Sequence, residues 1–175
     1  MTTKWSIDNM HSEIGFKVRH MMISNVRGSF ANFSASAETM DDDFTNPNFT
    51  FSAHVDSIQT GVADRDGHLA SADFFDAANY PTLEFKSTKI EHEQSDRLVI
   101  HGQMTIKGKS LPVRLNAEYA GIVQDPYGQT KAGFTMEGKI NRSDFGLTWS
   151  AVTEAGKIVV GDEIQLTAEL QFVKS

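Results

Sequence analysis

From Arg65 to Pro81 the chain reads RDGHLASADFFDAANYP, with Asp64 just before it. Asp64, Asp66 and His68 carry carboxylate oxygen and imidazole nitrogen, the donors that a divalent metal accepts. Asp66 and His68 could equally form an acid–base pair, with His11 or His20 as a further proton carrier. A general base needs only a matched pKa and hydrogen-bond reach. Neither chemistry has a second signature to support it. There is no HExxH, no GxSxG elbow, no phosphate-cradling glycine loop and no cysteine. His54, His92 and His101 are scattered. Asp64, Arg65, Asp66 and His68 could instead cap and pin a short helix through charge-assisted hydrogen bonds. On that reading no catalytic or metal-ligating residue is assigned and the chain is not expected to be an enzyme. The alternative is a barrel enzyme acting on an apolar substrate through Asp66 and His68.

Two further features bear on binding. Phe74 and Phe75 are adjacent, so they cannot share one face of a strand; in a helical turn they stand about 100° apart and form a blunt apolar wedge. In NRSDFG, residues 141–146, Arg142 and Asp144 could hold a polar head group or stabilise the turn as an ion pair.

The elements that must position these residues are mostly strands. Apolar residues alternate at Ile14, Phe16 and Val18; at Phe49, Phe51, Ala53 and Val55; and at Leu83 and Phe85. The pattern returns at Leu98, Ile100, Met104 and Ile106, at Val113, Leu115, Ala117 and Tyr119, and at Phe134, Met136 and Ile140. Ile164, Leu166, Ala168, Leu170 and Phe172 close the chain. With Lys4 to Asp8 and the run from Val26 to Met40, this predicts about eight or nine strands. The separators are short and rich in Asp, Asn, Gly and Pro, as in Lys107-Gly108-Lys109 and Asp125-Pro126-Tyr127-Gly128. They predict antiparallel neighbours. Residues 62–79 suit short helical turns ended by Pro81, and residues 21–24 read as a further irregular piece. A meander of eight alternating strands predicts an up-and-down barrel, whose closure removes exposed edges. A two-sheet sandwich fits the same alternation.

The totals bound the partners. A chain of 175 residues with no linker or repeat is expected to be one domain, spanning 1–175. A net charge of −7 argues against nucleic acid and anionic membrane as main partners. No run of residues is long and apolar enough for an integral membrane segment. The start, MTTKWSIDNMHS, shows no apolar leader, so a soluble cytoplasmic protein is expected. Twelve phenylalanines against two tryptophans allow a very apolar interior.

Several ordered motifs resemble one family. They are WSIDNMHS (5–12), IGFKVRH (14–20), RGSF (27–30), RDGHLASADFFDAANYPTLEFKST (65–88), GQMTIKG (102–108), RSDFGL (142–147) and VGDEIQL (160–166). Together they resemble the YceI-like family of lipocalin-like polyisoprenoid-binding proteins. The resemblance implies an all-β, eight-stranded antiparallel, lipocalin-like barrel with a short helical segment near 62–79. It implies binding of a long-chain isoprenoid or similar amphipathic lipid, of the polyprenyl phosphate or quinone type, for transport, storage or sequestration. No cofactor is expected beyond that bound polyisoprenoid or ubiquinone-like ligand. The tail would lie against Phe16, Val18, Phe30, Phe49, Phe51, Phe74, Phe75, Phe85, Ile100, Met104, Leu115, Phe134, Met136, Leu166 and Leu170. Arg65 and Arg142 would stand near the head, with Arg19, Lys107 and Arg114 as further cations. About ten buried carbons offer on the order of 8 kcal/mol before ordering costs. A homodimer that hides an open mouth is a further expectation, and a solid-core interaction module is the remaining alternative.

Overall fold

A computed structural model describes residues 1–20, 23–148 and 160–175; Met21 and Met22, in the irregular piece expected at 21–24, lie outside these. The strands are β1 (Thr2–Ile7), β2 (Glu13–His20), β3 (Ser24–Phe30), β4 (Phe33–Met40), β5 (Asp43–His54) and β6 (Ile58–Gln59). After helix α1 (Ala63–Ala70) come β7 (Thr82–Gln94), β8 (Arg97–Ile106), β9 (Lys109–Gln124), β10 (Thr130–Asn141) and β11 (Val160–Lys174).

These strands form eight staves. β1 and β2 lie end to end along β11, with Trp5 opposite Lys174 and Phe16 opposite Leu166. β3 pairs with β2 while β4 pairs with β1, and β6 extends the line of β5 in the same way. Every pairing is antiparallel, and the β1–β11 ladder closes the ring into an eight-stranded barrel. That closure excludes the sandwich.

Three neighbouring staves break at one level, and local chemistry holds the breaks. Asp8 caps a 3₁₀ turn at Asn9–His11 by accepting the Met10 N–H at 3.1 Å. The Asn9 side chain donates to the Phe33 carbonyl at 2.8 Å. The Ala31 N–H donates to the Ser57 carbonyl at 3.1 Å, and the Asn32 N–H to Ser57 Oγ at 3.0 Å. The breaks therefore satisfy one another's backbone groups where the ladders stop.

One end of the barrel is a floor of aromatic rings. Trp5 and Phe44 have ring centres 4.9 Å apart, Phe44 and Phe134 5.3 Å, and Tyr119 and Phe134 5.0 Å. Phe49 and Phe172 pack from above, and all of these except Tyr119 are buried. The buried Trp5 indole N–H donates to Thr39 Oγ1 at 3.0 Å, so the floor holds no stranded donor there. The opposite end carries the β2–β3 and β8–β9 hairpins, the 60–81 insertion and the turn after β10. Lys107 (φ 53°) and Gly108 (φ 76°) make the tight β8–β9 turn, as two left-handed residues do in a two-residue hairpin.

Candidate ligand-binding cavity

Above the floor the inward side chains leave a cavity of about 170 Å³. An apolar cavity of roughly 150 Å³ suffices to hold benzene. The wall is almost wholly carbon. It includes Phe16 and Val18 of β2, Phe30 of β3, Phe49 and Phe51 of β5, Phe85 of β7, and Ile100 and Met104 of β8. Leu115 of β9, Met136 of β10, and Leu166 and Leu170 of β11 complete it. The period-two alternation sends every second side chain inward, which is why these residues meet. Phe16, Phe51, Leu115 and Leu166 are only half-buried. They hold apolar surface that a ligand could take out of water.

The insertion covers part of this space. Phe74 and Phe75 both line the cavity, as does Leu69 of α1. Phe74 is buried, while Phe75 is half-buried with its ring edge-on to Phe30 at 6.2 Å. A clasp holds the insertion in place. Asp66 Oδ1 accepts the Thr60 N–H at 2.9 Å and also the Thr60 hydroxyl. Arg65 donates from Nε to Thr60 Oγ1 at 2.8 Å and from Nη2 to the Thr60 carbonyl at 2.6 Å. His68 Nε2 instead meets Asp73 Oδ2 at 2.8 Å. Asp66 and His68 thus serve different partners and do not form the pair an acid–base mechanism would use. Among the described residues no three acidic or histidine side chains converge as a metal would need.

Among the described residues two charged side chains border the wall, the exposed Glu137 and the buried Arg142. Arg142 lines the cavity and is 6 % exposed. Its Nε donates to the Gly161 carbonyl at 2.9 Å and its Nη1 to the Leu147 carbonyl at 2.7 Å. Burial pushes its pKa down, and the field of Asp162 opposes that shift. The turn at Arg142–Phe145 ends at Gly146, whose φ of 81° is left-handed. Asp162 fixes this turn, accepting the Ser143 N–H at 3.0 Å and the Ser143 hydroxyl at 2.8 Å. Asp144 is exposed.

Two expected wall residues sit elsewhere. Phe134 faces inward as its parity requires, but it lies in the aromatic floor and does not line the cavity. Arg65 is spent on Thr60 and stands outside the cavity. The other cations do not converge either. Lys107 Nζ reaches the Ala72 and Gly146 carbonyls, each at 3.4 Å, and so ties the insertion to the Arg142 turn. Arg114 pairs with Glu93 at 3.6 Å, and Arg19 is exposed. Wall positions that sequence reasoning did not single out include Leu69 and Leu147. Neither sits in an alternating strand, so the period-two signal passes over them.

A curated relative from Staphylococcus epidermidis, a UPF0312 protein, is 32% identical over 171 residues, covering 97% of each chain. Among solved structures, Burkholderia cenocepacia BcnA superposes with a TM-score of 0.81 at 24% identity, covering 94% of this chain and 98% of that one. A structure described as a polyisoprenoid binding domain from Saccharophagus degradans gives 0.65 at 13% identity, with 98% of both chains covered. The family model for the YceI-like domain matches residues 5–172, and the chain belongs to that family.

Proposed function

We propose that this protein binds a long-chain isoprenoid or similar amphipathic lipid, with the tail in the barrel. The observation that carries this reading is the carbon-lined cavity with one buried guanidinium, Arg142, in its wall. The polyisoprenoid-binding description of the Saccharophagus degradans domain supports it by analogy of fold. The tail would rest on Phe16, Phe51, Phe75, Leu115 and Leu166, which are only half-buried. Arg142 favours an oxygen-rich head, such as a phosphate or a quinone carbonyl, near the turn that carries it. Binding of this kind suits transport, storage or sequestration and requires no catalytic group.

The test is native mass spectrometry of the purified protein, followed by organic extraction and identification of what is bound. A co-purifying isoprenoid at near one per chain is the expected result. A protein that comes out empty, and takes up neither added quinone nor polyprenyl phosphate, would overturn the reading.

A further inference from the structure

The cavity is small for a long tail. A space of roughly 150 Å³ holds benzene, so 170 Å³ holds about seven tail carbons by the same measure. A tail of about twenty carbons needs roughly three times that space. The room has to come from a boundary that can move. The staves cannot part without breaking ladder hydrogen bonds, because each is paired on both sides of the closed ring. The floor is filled by buried rings, among them Trp5 and Phe172. The remaining boundary is the insertion between β6 and β7, which brings Leu69, Phe74 and Phe75 against the cavity.

The insertion is built to move as one body. Its backbone bonds largely to itself: the Phe75 N–H donates to the Leu69 carbonyl at 3.0 Å and the Ala77 N–H to the Ala70 carbonyl at 2.9 Å. Its ends are fixed, since β6 pairs with β3 and the Pro81 carbonyl accepts the Val55 N–H at 3.0 Å. Its hold between those ends is light. Helix α1 has eight residues, none of them buried, and Val62 at its N-cap offers no side-chain acceptor. Among the described residues, the side-chain hydrogen bonds that tie the insertion down are the Thr60 clasp and the 3.4 Å bond from Lys107 to the Ala72 carbonyl. The clasp spans Gly61, which lies between Thr60 and the Arg65–Asp66 pair. Gly61 has a φ of 91°, and a Cβ there would meet nothing within 4 Å. It has both the backbone freedom and the open space of a hinge.

We infer that the insertion is a lid, hinged at Gly61 and latched by the Thr60–Asp66 clasp, which lifts to make room for a long tail; the 170 Å³ cavity is its closed form. The inference rests on the lipid-binding reading above. Lifting the lid uncovers Phe74, and the incoming tail covers that ring again. Phe75 then rides on the tail as the inner surface of the lid. The clasp thus sets the rate at which a tail enters and leaves.

The test uses the full chain carrying Thr60→Cys with Asp66→Cys, which replaces the clasp by a disulfide across the hinge. The chain has no cysteine of its own, so oxidation joins only this pair. The probes are toluene, which the closed cavity can hold, and geranylgeraniol, which it cannot. The oxidised protein should bind toluene as the reduced protein does, yet take up geranylgeraniol at least about tenfold more slowly. Asp66→Ala, which opens the clasp, should speed both uptake and release of geranylgeraniol about tenfold. Equal uptake by the oxidised and reduced proteins would overturn the lid while leaving the lipid-binding reading intact, and so would unchanged rates in Asp66→Ala. A wild type that binds toluene and no geranylgeraniol would overturn the lipid-binding reading instead. Hydrogen exchange of the empty wild type then judges the lid alone. The Thr60 amide, freed whenever the clasp opens, should exchange at least about tenfold faster than the amides of β8. Exchange as slow as that of β8 would overturn the lid whatever the ligand.

Discussion

The guanidinium carbon of Arg142 stands 5.9 Å from the centre of the Phe74 ring. This contact joins the turn after β10 to the insertion between β6 and β7, two segments remote in sequence. It also places a cation against the wall of an otherwise apolar space. Replacing Arg142 with Met would keep the bulk and strand the Gly161 and Leu147 carbonyls it now satisfies. We expect a loss of about 3 kcal/mol, from two charge-assisted bonds. Arg142→Lys should lose less, because an ammonium can still serve one carbonyl. Urea denaturation of the two variants checks the order.

Phe75 is the more exposed of the two ring neighbours in the insertion, and it faces the cavity. Phe75→Asp is expected to reduce co-purifying or added lipid while leaving the far-ultraviolet β spectrum intact. Phe74→Ala, at a buried site, should instead cost about 3–5 kcal/mol of stability. Unchanged lipid content in a folded Phe75→Asp protein would remove this ring from the binding surface.

Asp66 and Thr60 form a clasp whose strength can be isolated. Asp66→Ala leaves the Thr60 N–H without its acceptor, at a cost of about 1–3 kcal/mol. A double-mutant cycle with Thr60→Val should show coupling between the hydroxyl and the carboxylate. Additive melting shifts would mean that the clasp does not act as a unit.

Asp8 sets a pH dependence. The hydrogen bond from Lys131, and after it the hydrogen bond and charge of His11, hold its pKa down to about 2, against the opposing effect of burial. A carboxyl depressed in the folded state stabilises that state above its unfolded pKa and loses the contribution as pH falls. The stability difference between wild type and Asp8→Asn should be full above about pH 5 and close as pH drops toward 2. A difference that stays constant across this range would show that Asp8 titrates alike in both states.

Gly102 marks a close approach between β7 and β8. A Cβ there would lie 2.3 Å from the Lys86 carbonyl oxygen and 2.5 Å from the Phe85 ring. The ring could turn aside, but the backbone oxygen could not. Gly102→Ala should therefore cost about 1–3 kcal/mol through strand displacement, and thermal melting checks it.

Much of this molecule can be read from its residue order. Alternation identifies which side chains face inward, and it does so for Phe16, Phe51, Phe85, Met104 and Leu166 alike. It is silent on height along the barrel axis. Phe134 has the same parity as Met136, two residues on, yet one belongs to the floor and the other to the cavity. The broken staves escape for a related reason. Asn9, Asn32 and Ser57 end ladders through bonds to residues tens of positions away, which no local pattern records. Arg65 illustrates a third limit. An arginine in a distinctive motif suggests a head-group ligand, but Thr60, five residues earlier, already occupies its donors.

The aromatic floor has a consequence for traffic. Trp5, Phe44, Phe134 and Phe172 fill one end with buried rings, so the barrel is a blind cup and not a tunnel. On the binding proposed above, a tail that threads in cannot leave by the far side; the terminal carbon, first to arrive, is the last to go. Loading and unloading are then one path travelled in two directions, and whatever obstructs the one obstructs the other.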